Sequence, residues 1–465
     1  MISVVRLPLR SAFVVAASLA AVLVAPPPRA SAYPSSHIEF VGHGWGHGRG
    51  LGQYGALGYA IDEDKPYSEI LDHFYGGTVK GSQPDGLISV RLTAYDAKDL
   101  YVTAGAPFTI GANAYAANEI GRIHRDTTTG LWTVSRAPTL GDQCSGTFTV
   151  AQDALPAATE PEAKLVTPYD GDDVKQLLQA ISCPDMTRRH YRGSIMALVT
   201  DNTSRAVNFV MMEQYLRGVV PRESPASWGD LDSGRGINAL KAQAVAARSY
   251  AWAEQRNAKY KTCDTTACQV YGGAGLNNAR IENVNSDRAV AQTGTEVRAF
   301  QNGGVARTEF SSSTGGYTAG GTFTAVPDSG DDVSANPNHS WDTDVFVTKV
   351  QDAYPTIGTL QTIAVSSRNG LGADGGRALQ VKLVGDKASV TVTADALRSK
   401  LGLKSDWYRI IDPSLNAPAV GLGSLVDDNG LLLVSRTGEA LSYGAANTYG
   451  SMEGVALNKP VVGVA

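Results

Sequence analysis

The feature that most restricts this chain is the stretch GHGWGHGRGLGQYGALGYA, Gly42 to Ala60, with five glycines between Gly42 and Gly50. Glycine costs a helix roughly 1 kcal/mol per residue relative to alanine. The segment is therefore expected to be a loop whose backbone can approach a partner closely. His43 and His47, four apart, would share one face of a helix and could then ligate a metal. Without a helix that geometry is lost. The glycines match neither the order of a P-loop nor a strand-loop-helix unit with its acidic partner, which sets a phosphate cradle aside. There remains a ligand-approach loop in which His47, Gln53 and Tyr54 offer hydrogen bonds and a stacking face.

Ahead of it, Arg6 and Arg10 precede an apolar run from Ala12 to Val24, then Pro26-Pro27-Pro28 and Ala30-Ser31-Ala32. That is the layout of a cleaved secretory signal over residues 1–32. The run is shorter than the ~20 apolar residues a membrane span needs. No later run is as long and apolar, so the processed chain is expected to have no membrane span and to be exported. Loss of three arginines takes the balance from 40 basic against 45 acidic residues to 37 against 45, a formal −8. This mild acidity argues against a nucleic-acid partner. About 430 processed residues exceed one ordinary core, and two or three domains are expected.

Four cysteines, Cys144, Cys183, Cys263 and Cys268, enter an oxidising compartment, where an even count favours disulfides. Three pairings are possible. Cys263 and Cys268 suit a small loop, which leaves Cys144 with Cys183; a zinc site at Cys263 and Cys268 is the rival reading.

Along the chain, KPYSEILDHFYGGT places Tyr67, Ile70, Leu71 and Phe74 at helical spacing and ends in Gly76-Gly77. Between Leu87 and Val150, segments such as LISVRLTAY, LYVTAG and LWTVSR alternate apolar and polar residues, a β-rich pattern. ALPAATEPEAKLVTP reads as a surface loop or linker. GSIMALVTD and AVNFVMM read as strands, and GINALKAQAVAARSYAWAEQ as a buried helix beside them. SVTVTADALRSKLGLKSDWYRI supplies a strand and a helix. In the tail, NAPAVGL at Asn416 returns as NKPVVGV at Asn458, with a hairpin between, a period that suits a β repeat. A single unit cannot bury its own faces and must pack on something else.

Glu223 is the leading chemical candidate. In VVPRESPASW it is read as following an apolar strand end, between Pro221 and Pro225, beside Arg222 and near Trp228. An aromatic wall that excludes water raises a carboxyl pKa towards the range of a general acid. The plainer alternative is an exposed loop glutamate paired with an arginine. SSSTGGYT, Ser311 to Thr318, lacks the Gly-x-Ser-x-Gly elbow of a serine nucleophile. It is read as a hydroxyl-rich loop bonding its own backbone or a polar ligand.

Together, GWGHGRGLGQYGA, YLRGVVPRESPASW, ALKAQAVAARSYA, CDTTACQVYGG, FSSSTGGYT and NPNHSW resemble the SpoIID/LytB family of bacterial cell-wall proteins. The resemblance runs over most of residues 40–411. It implies an α+β fold with a SpoIID-like catalytic domain at 191–412 and an N-terminal motif segment at 33–80 docked on it, while the alternating strands mark a β-rich inserted module at 81–190 and the tail a single β repeat at 413–465. It implies a lytic transglycosylase acting on peptidoglycan glycan strands, with Glu223 as its acid and base and no cofactor. The LytB-type alternative is a noncatalytic wall protein that enhances a cell-wall amidase. The expected sugar-binding groups are His43, Trp45, His47, Gln53, Tyr54, Arg222, Trp228, Ser311, Ser312, Ser313, Gly315, Gly316, Tyr317 and His339. Some members hold zinc through the cysteine pair and an upstream histidine; here Asn257 stands in that neighbourhood and QRNAKYKT has no histidine, which favours a disulfide. In the SpoIID members the GWGHG motif lies towards the end of the domain. Here it comes first, as if permuted.

Overall fold

The computed structural model describes residues 32–183, 185–411, 419–424, 430–444, 452, 457 and 459–462. The expected signal lies outside them except for Ala32, and both copies of the tail repeat lie partly outside them. Within them the protein is a mixed α+β structure with seven α-helices: α1 Gln53–Ile61, α2 Tyr67–Phe74, α3 Met212–Glu223, α4 Ile237–Ala253, α5 Val284–Gln292, α6 Val347–Ala353 and α7 Ala394–Leu401.

The larger core gathers around α4. Its alanines are strong helix formers and small enough to admit neighbours on every side, and the run from Ala242 to Ala251 is buried. Helices α1, α2, α3 and α5 pack around it. The buried Arg248 of α4 donates two bonds to Glu213 of α3, at 2.8 and 2.7 Å, and one to the Glu296 carbonyl at 3.0 Å. Two sheets complete this half. In one, the strands run Thr262–Cys263, Leu87–Leu92, Thr203–Met211, Ser194–Thr200, Glu162–Leu165, Phe108–Ile110, Asn113–Tyr115. The other contains Leu100–Ala104, Leu178–Ser182 and Thr187–Tyr191 among its eight strands.

These sheets differ from the expected division of the chain. Leu87–Leu92 pairs antiparallel with Thr203–Met211, and Glu162–Leu165 with Ser194–Thr200. One hydrophobic core includes Ile88, Val102, Phe108, Ile195, Val210 and Val245. Residues 81–190 are thus interleaved with the segment after 190: their strands pair edge to edge in one sheet and share one core. The presumed linker supplies the strand Glu162–Leu165.

A second core draws on both ends of this region. His37–His43 lies between Ser340–Phe346 and Tyr408–Ile411. The sheet Leu360–Arg368, Ala378–Gly385, Ser389–Thr393 joins it, with α7 burying Leu397 and Leu401. The tail forms a three-stranded sheet, Ala419–Ser424, Gly430–Ser435 and Ala440–Gly444. Its Leu431, Leu433 and Tyr443 cover Ala364 and Val384. The cysteines pair as Cys144–Cys183 and Cys263–Cys268.

Glu223 ends a helix and does not follow a strand. Met212, Tyr215, Leu216, Val219 and Val220 are buried, and their spacing of 0, 3, 4, 7 and 8 marks one helical face. Pro221 falls in the last turn of α3, where its missing N–H leaves one i−4 bond unmade near the helix end.

Candidate active site

The glycine stretch crosses from the second core to the first. Its strand His37–His43 belongs to the second core's sheet, and Leu51 and Gly52 pair in parallel with Phe310 and Ser311 beside the larger core. Gly44 takes φ +75°, where an added Cβ would come within 2.8 Å of the Ser313 carbonyl oxygen. The loop therefore lies flat against the serine segment. The early motif reaches Glu223 from this side, with His47 and Glu223 lining one cavity of about 450 Å³.

Glu223 accepts a hydrogen bond from the Val270 N–H at 2.6 Å. Burial raises its pKa, and the Val270 bond, the Gln53 side chain and the Arg222 charge oppose that rise in turn. The balance favours a carboxyl that keeps its proton longer than an ordinary glutamate, as a general acid requires. Val270 lies two residues past Cys268, so the Cys263–Cys268 disulfide restrains the chain just ahead of the anchoring N–H.

Across the cavity stand groups that sequence reasoning missed. Arg49 meets Glu309 through two bonds, at 3.0 and 3.1 Å. Arg307 donates to Glu309 at 3.0 Å and to the Tyr250 hydroxyl at 2.6 Å, and Arg256 pairs with the buried Glu254 at 2.6 Å. Burial would raise the Glu309 pKa, but Arg49, His47 and Arg307 together bring it below the ordinary value. The two carboxyls are pushed in opposite directions, Glu223 towards the acid and Glu309 towards the carboxylate. His47 is driven down to about 4, first by burial and then by Arg49, so it is neutral near pH 7. Its Nδ1 accepts from the Arg49 N–H at 2.9 Å.

Other expected residues lie elsewhere. Gln53 is buried, with 6% exposure, and its Nε2 donates to Gln243 Oε1 at 3.2 Å, beneath the carboxyl. The Tyr54 ring stands 5.1 Å from the buried Trp228, and its N–H donates to the Ser312 carbonyl at 3.0 Å. Arg222 is exposed and is not among the groups lining the cavity. Ser311 borders the glycine loop with a buried hydroxyl that has no hydrogen-bond partner among the described residues. Ser313, Gly315 and His339 do not face the cavity; all three bond the buried Asp331, through Oγ at 2.8 Å, N–H at 2.9 Å and Nδ1 at 2.9 Å. The Gly316 N–H donates to the Thr314 hydroxyl at 3.3 Å, and Tyr317 bridges to Pro327. Thr314 in turn donates to Asp328 at 2.6 Å. Burial, with Asp331 adding to it, pushes the Asp328 carboxyl well above the ordinary range. The serine loop's hydroxyls are thus largely consumed in its own scaffold, the backbone-bonding alternative that such a composition allows. His43 packs 5.2 Å from Trp407, with Nε2 3.5 Å from Asp374. Trp45 is half exposed, with the Lys404 ammonium 5.4 Å from its ring centre.

Among the described residues no group of three or more His, Cys, Asp or Glu is arranged to hold a metal ion. Both sulfurs of Cys263 and Cys268 are committed to their disulfide, so they are not thiolate ligands. No helix of the described residues is long and apolar enough to cross a membrane.

Fold and site define an α+β protein whose polar cleft holds a half-buried glutamate with a raised pKa. Residues 200–300, which include Glu223 and both members of the Cys263–Cys268 pair, match the model of the SpoIID family, described as stage II sporulation protein. Over this segment the chain is similar to the SpoIID family. It is 43% identical over 103 residues to the amidase enhancer of Bacillus subtilis (strain 168), a match covering 22% of this chain and 12% of that protein. It is 36% identical over 132 residues to an uncharacterized protein of Brachyspira hyodysenteriae (strain ATCC 49526 / WA1), covering 28% of this chain and 32% of that one. The chain thus spans a third or less of the length of either relative. No solved structure matches.

Proposed function

We propose that this protein is an exported peptidoglycan lytic transglycosylase acting in the cell wall, with Glu223 as its single acid and base. The carrying observation is the setting of Glu223: at the end of α3, in a cavity, held by the Val270 N–H and raised in pKa by burial. In the protonated form it gives its proton to the glycosidic oxygen between N-acetylmuramic acid and N-acetylglucosamine, and that C–O bond breaks. As carboxylate it then takes the proton of the muramyl C6 hydroxyl, whose oxygen closes a 1,6-anhydro ring. The nucleophile belongs to the substrate, and its proximity lowers the barrier without a second carboxylate or a water.

A second reading has its own support, the 43% identity to a protein named amidase enhancer. In it the chain binds wall glycan and stimulates a cell-wall amidase. Digestion of purified glycan strands by wild type and by Glu223→Gln, read by mass spectrometry, separates the two. Anhydro-muramyl ends that vanish in the variant support cleavage. Ends without the anhydro ring indicate hydrolysis, and no products with amidase stimulation intact would sink the enzyme reading.

A further inference from the structure

A second cavity, of about 820 Å³, lies between the tail sheet and the second core and shares no lining residue with the one at Glu223. Leu431, Leu433 and Tyr443 seat the tail on Ala364 and Val384, and Lys382 Nζ donates to Ser424 Oγ at 2.7 Å. The two layers are thus fastened together, yet they leave this space between them. Both strands that bound it are irregular where they do so. In Leu360–Arg368 the pairing with Ala378–Gly385 skips Ser366, and in Ala419–Ser424 the pairing with Gly430–Ser435 skips Val420. Bulges of this kind bend a strand and re-aim its side chains, and they are over-represented beside active sites. The volume is that of a small-ligand site, about 300–1,000 Å³.

The charge in the crevice is one-sided. Among the described residues that line it, Arg368, Arg409 and Arg436 face the single carboxylate of Asp374. That carboxylate is shared, with Oδ2 3.8 Å from Arg409 Nε and 3.5 Å from His43 Nε2. Arg368 is held by backbone carbonyls, Nη1 donating to Gly376 at 2.7 Å and Nη2 to Tyr408 at 2.9 Å. Burial holds its pKa below the ordinary value, with Asp374 and Tyr408 opposing. Arg436 is exposed, and its side chain has no ion-pair partner among the described residues. The positive charge therefore exceeds what the crevice itself neutralises, and such a site favours an anion.

We propose that this crevice binds an anionic saccharide. The guanidiniums take its carboxylate or phosphate, the half-buried Ser366 and Ser367 its hydroxyls, and Val365, Leu422 and Leu433 the apolar face of its ring. A planar guanidinium meets either anion with two parallel N–H bonds. A bare inorganic anion would leave the serines and the apolar wall without a partner, whereas a ring with hydroxyls on its rim and C–H groups on its face uses all three. The site requires nothing of Glu223 and stands apart from the reading of that residue as an acid and base.

Calorimetric titration of the full chain at low salt with three probes tests this. N-acetylmuramic acid carries a carboxylate, N-acetylglucosamine 6-phosphate a phosphate, and N-acetylglucosamine no charge. At least one charged sugar should bind about 10-fold or more tightly than the neutral one, the scale of a hydrogen bond to a charged group; which of the two binds more tightly identifies the anion. Arg436→Ala leaves no partner orphaned and should weaken that binding about 10-fold, as should Arg409→Gln, whereas Glu223→Gln should leave it unchanged. Equal binding of the neutral sugar, no binding of either charged sugar, or binding that survives both arginine substitutions overturns the proposal. Failure of the wild type to form anhydro ends from glycan strands would overturn the transglycosylase reading and leave this site standing.

Discussion

Glu223, Asp328 and His47 each make the protein's stability depend on pH, in opposite senses for the carboxyls and the imidazole. A carboxyl whose pKa is raised by folding holds its proton better in the folded protein. It therefore costs stability as pH rises through the unfolded value, and the cost is complete above the folded value. Glu223 and Asp328 are on this side. Replacing Glu223 by Gln removes this half-buried charge and should stabilise the protein at pH 7 by about 1 kcal/mol, the usual gain when an active-site strain is relieved. Thermal unfolding checks this, and the gain should close below about pH 4.3, where the unfolded glutamate is itself protonated. His47 runs the other way: its pKa falls from 6.5 to about 4, so its contribution is lost as pH drops through that window. Its ring resonances should stay constant from pH 7.5 to 5 and move only near 4; a midpoint near 6.5 would show that burial and Arg49 do not control it. None of these shifts was readable in the motif, because the Arg49–Glu309 pair spans 260 positions of the chain.

At the scale of elements, legibility followed the clarity of the local period. Helices α2 and α4 were visible because their apolar spacing and helix-forming residues agree. Helix α3 was not, because Val219-Val220 followed by Pro221 imitates the end of a strand, although the full spacing from Met212 is helical. The interleaving of the two sheets was hidden for another reason: alternation identifies strands but does not say which strands pair. The fit of α1 was equally hidden. A Cβ on Gly58 would lie 2.0 Å from the Gly330 carbonyl oxygen, a backbone atom that cannot swing aside. Helix propensity alone would make Gly58→Ala stabilising by about 1 kcal/mol, whereas overpacking costs about 1–3 kcal/mol. Packing should win, and a lower midpoint in urea is the expected result; a higher one would mean that the turn Ser329–Asp332 yields. The two disulfides should also differ. Closing 39 residues, Cys144–Cys183 should contribute about 4 kcal/mol, and Cys263–Cys268 about 2 kcal/mol by the chain-entropy relation. Cys263→Ser with Cys268→Ser should therefore cost activity, by freeing Val270, more visibly than it costs stability.

Across the whole molecule the candidate site depends on both cores, since the larger one supplies Glu223 and the second one launches the glycine loop that delivers His47 and Gln53. Arg377, buried on the strand Ala378–Gly385's entry, holds this junction together. Its guanidinium donates to the Thr314 carbonyl at 2.7 Å, pairs with Asp406 at 2.5 Å, and lies 5.5 Å from the Trp407 ring. It also fills the space beside Gly48, where a Cβ would meet Nη2 at 2.0 Å. One side chain therefore touches the serine loop, the glycine loop and the second core. Removing one partner of a buried pair leaves the other charge uncompensated, at a cost of about 3–5 kcal/mol. The ion pair lies within the second core and the bond to the Thr314 carbonyl ties that core to the serine loop, so the loss weakens the second core and its contact with the first together. Arg377→Ala should therefore split the calorimetric unfolding of the wild type into two transitions, the lower belonging to the second core. It should also reduce glycan cleavage, although Arg377 does not line the Glu223 cavity. A single transition merely displaced to lower temperature would show that the cores cooperate through their wider contact, with Arg377 as one contributor among many.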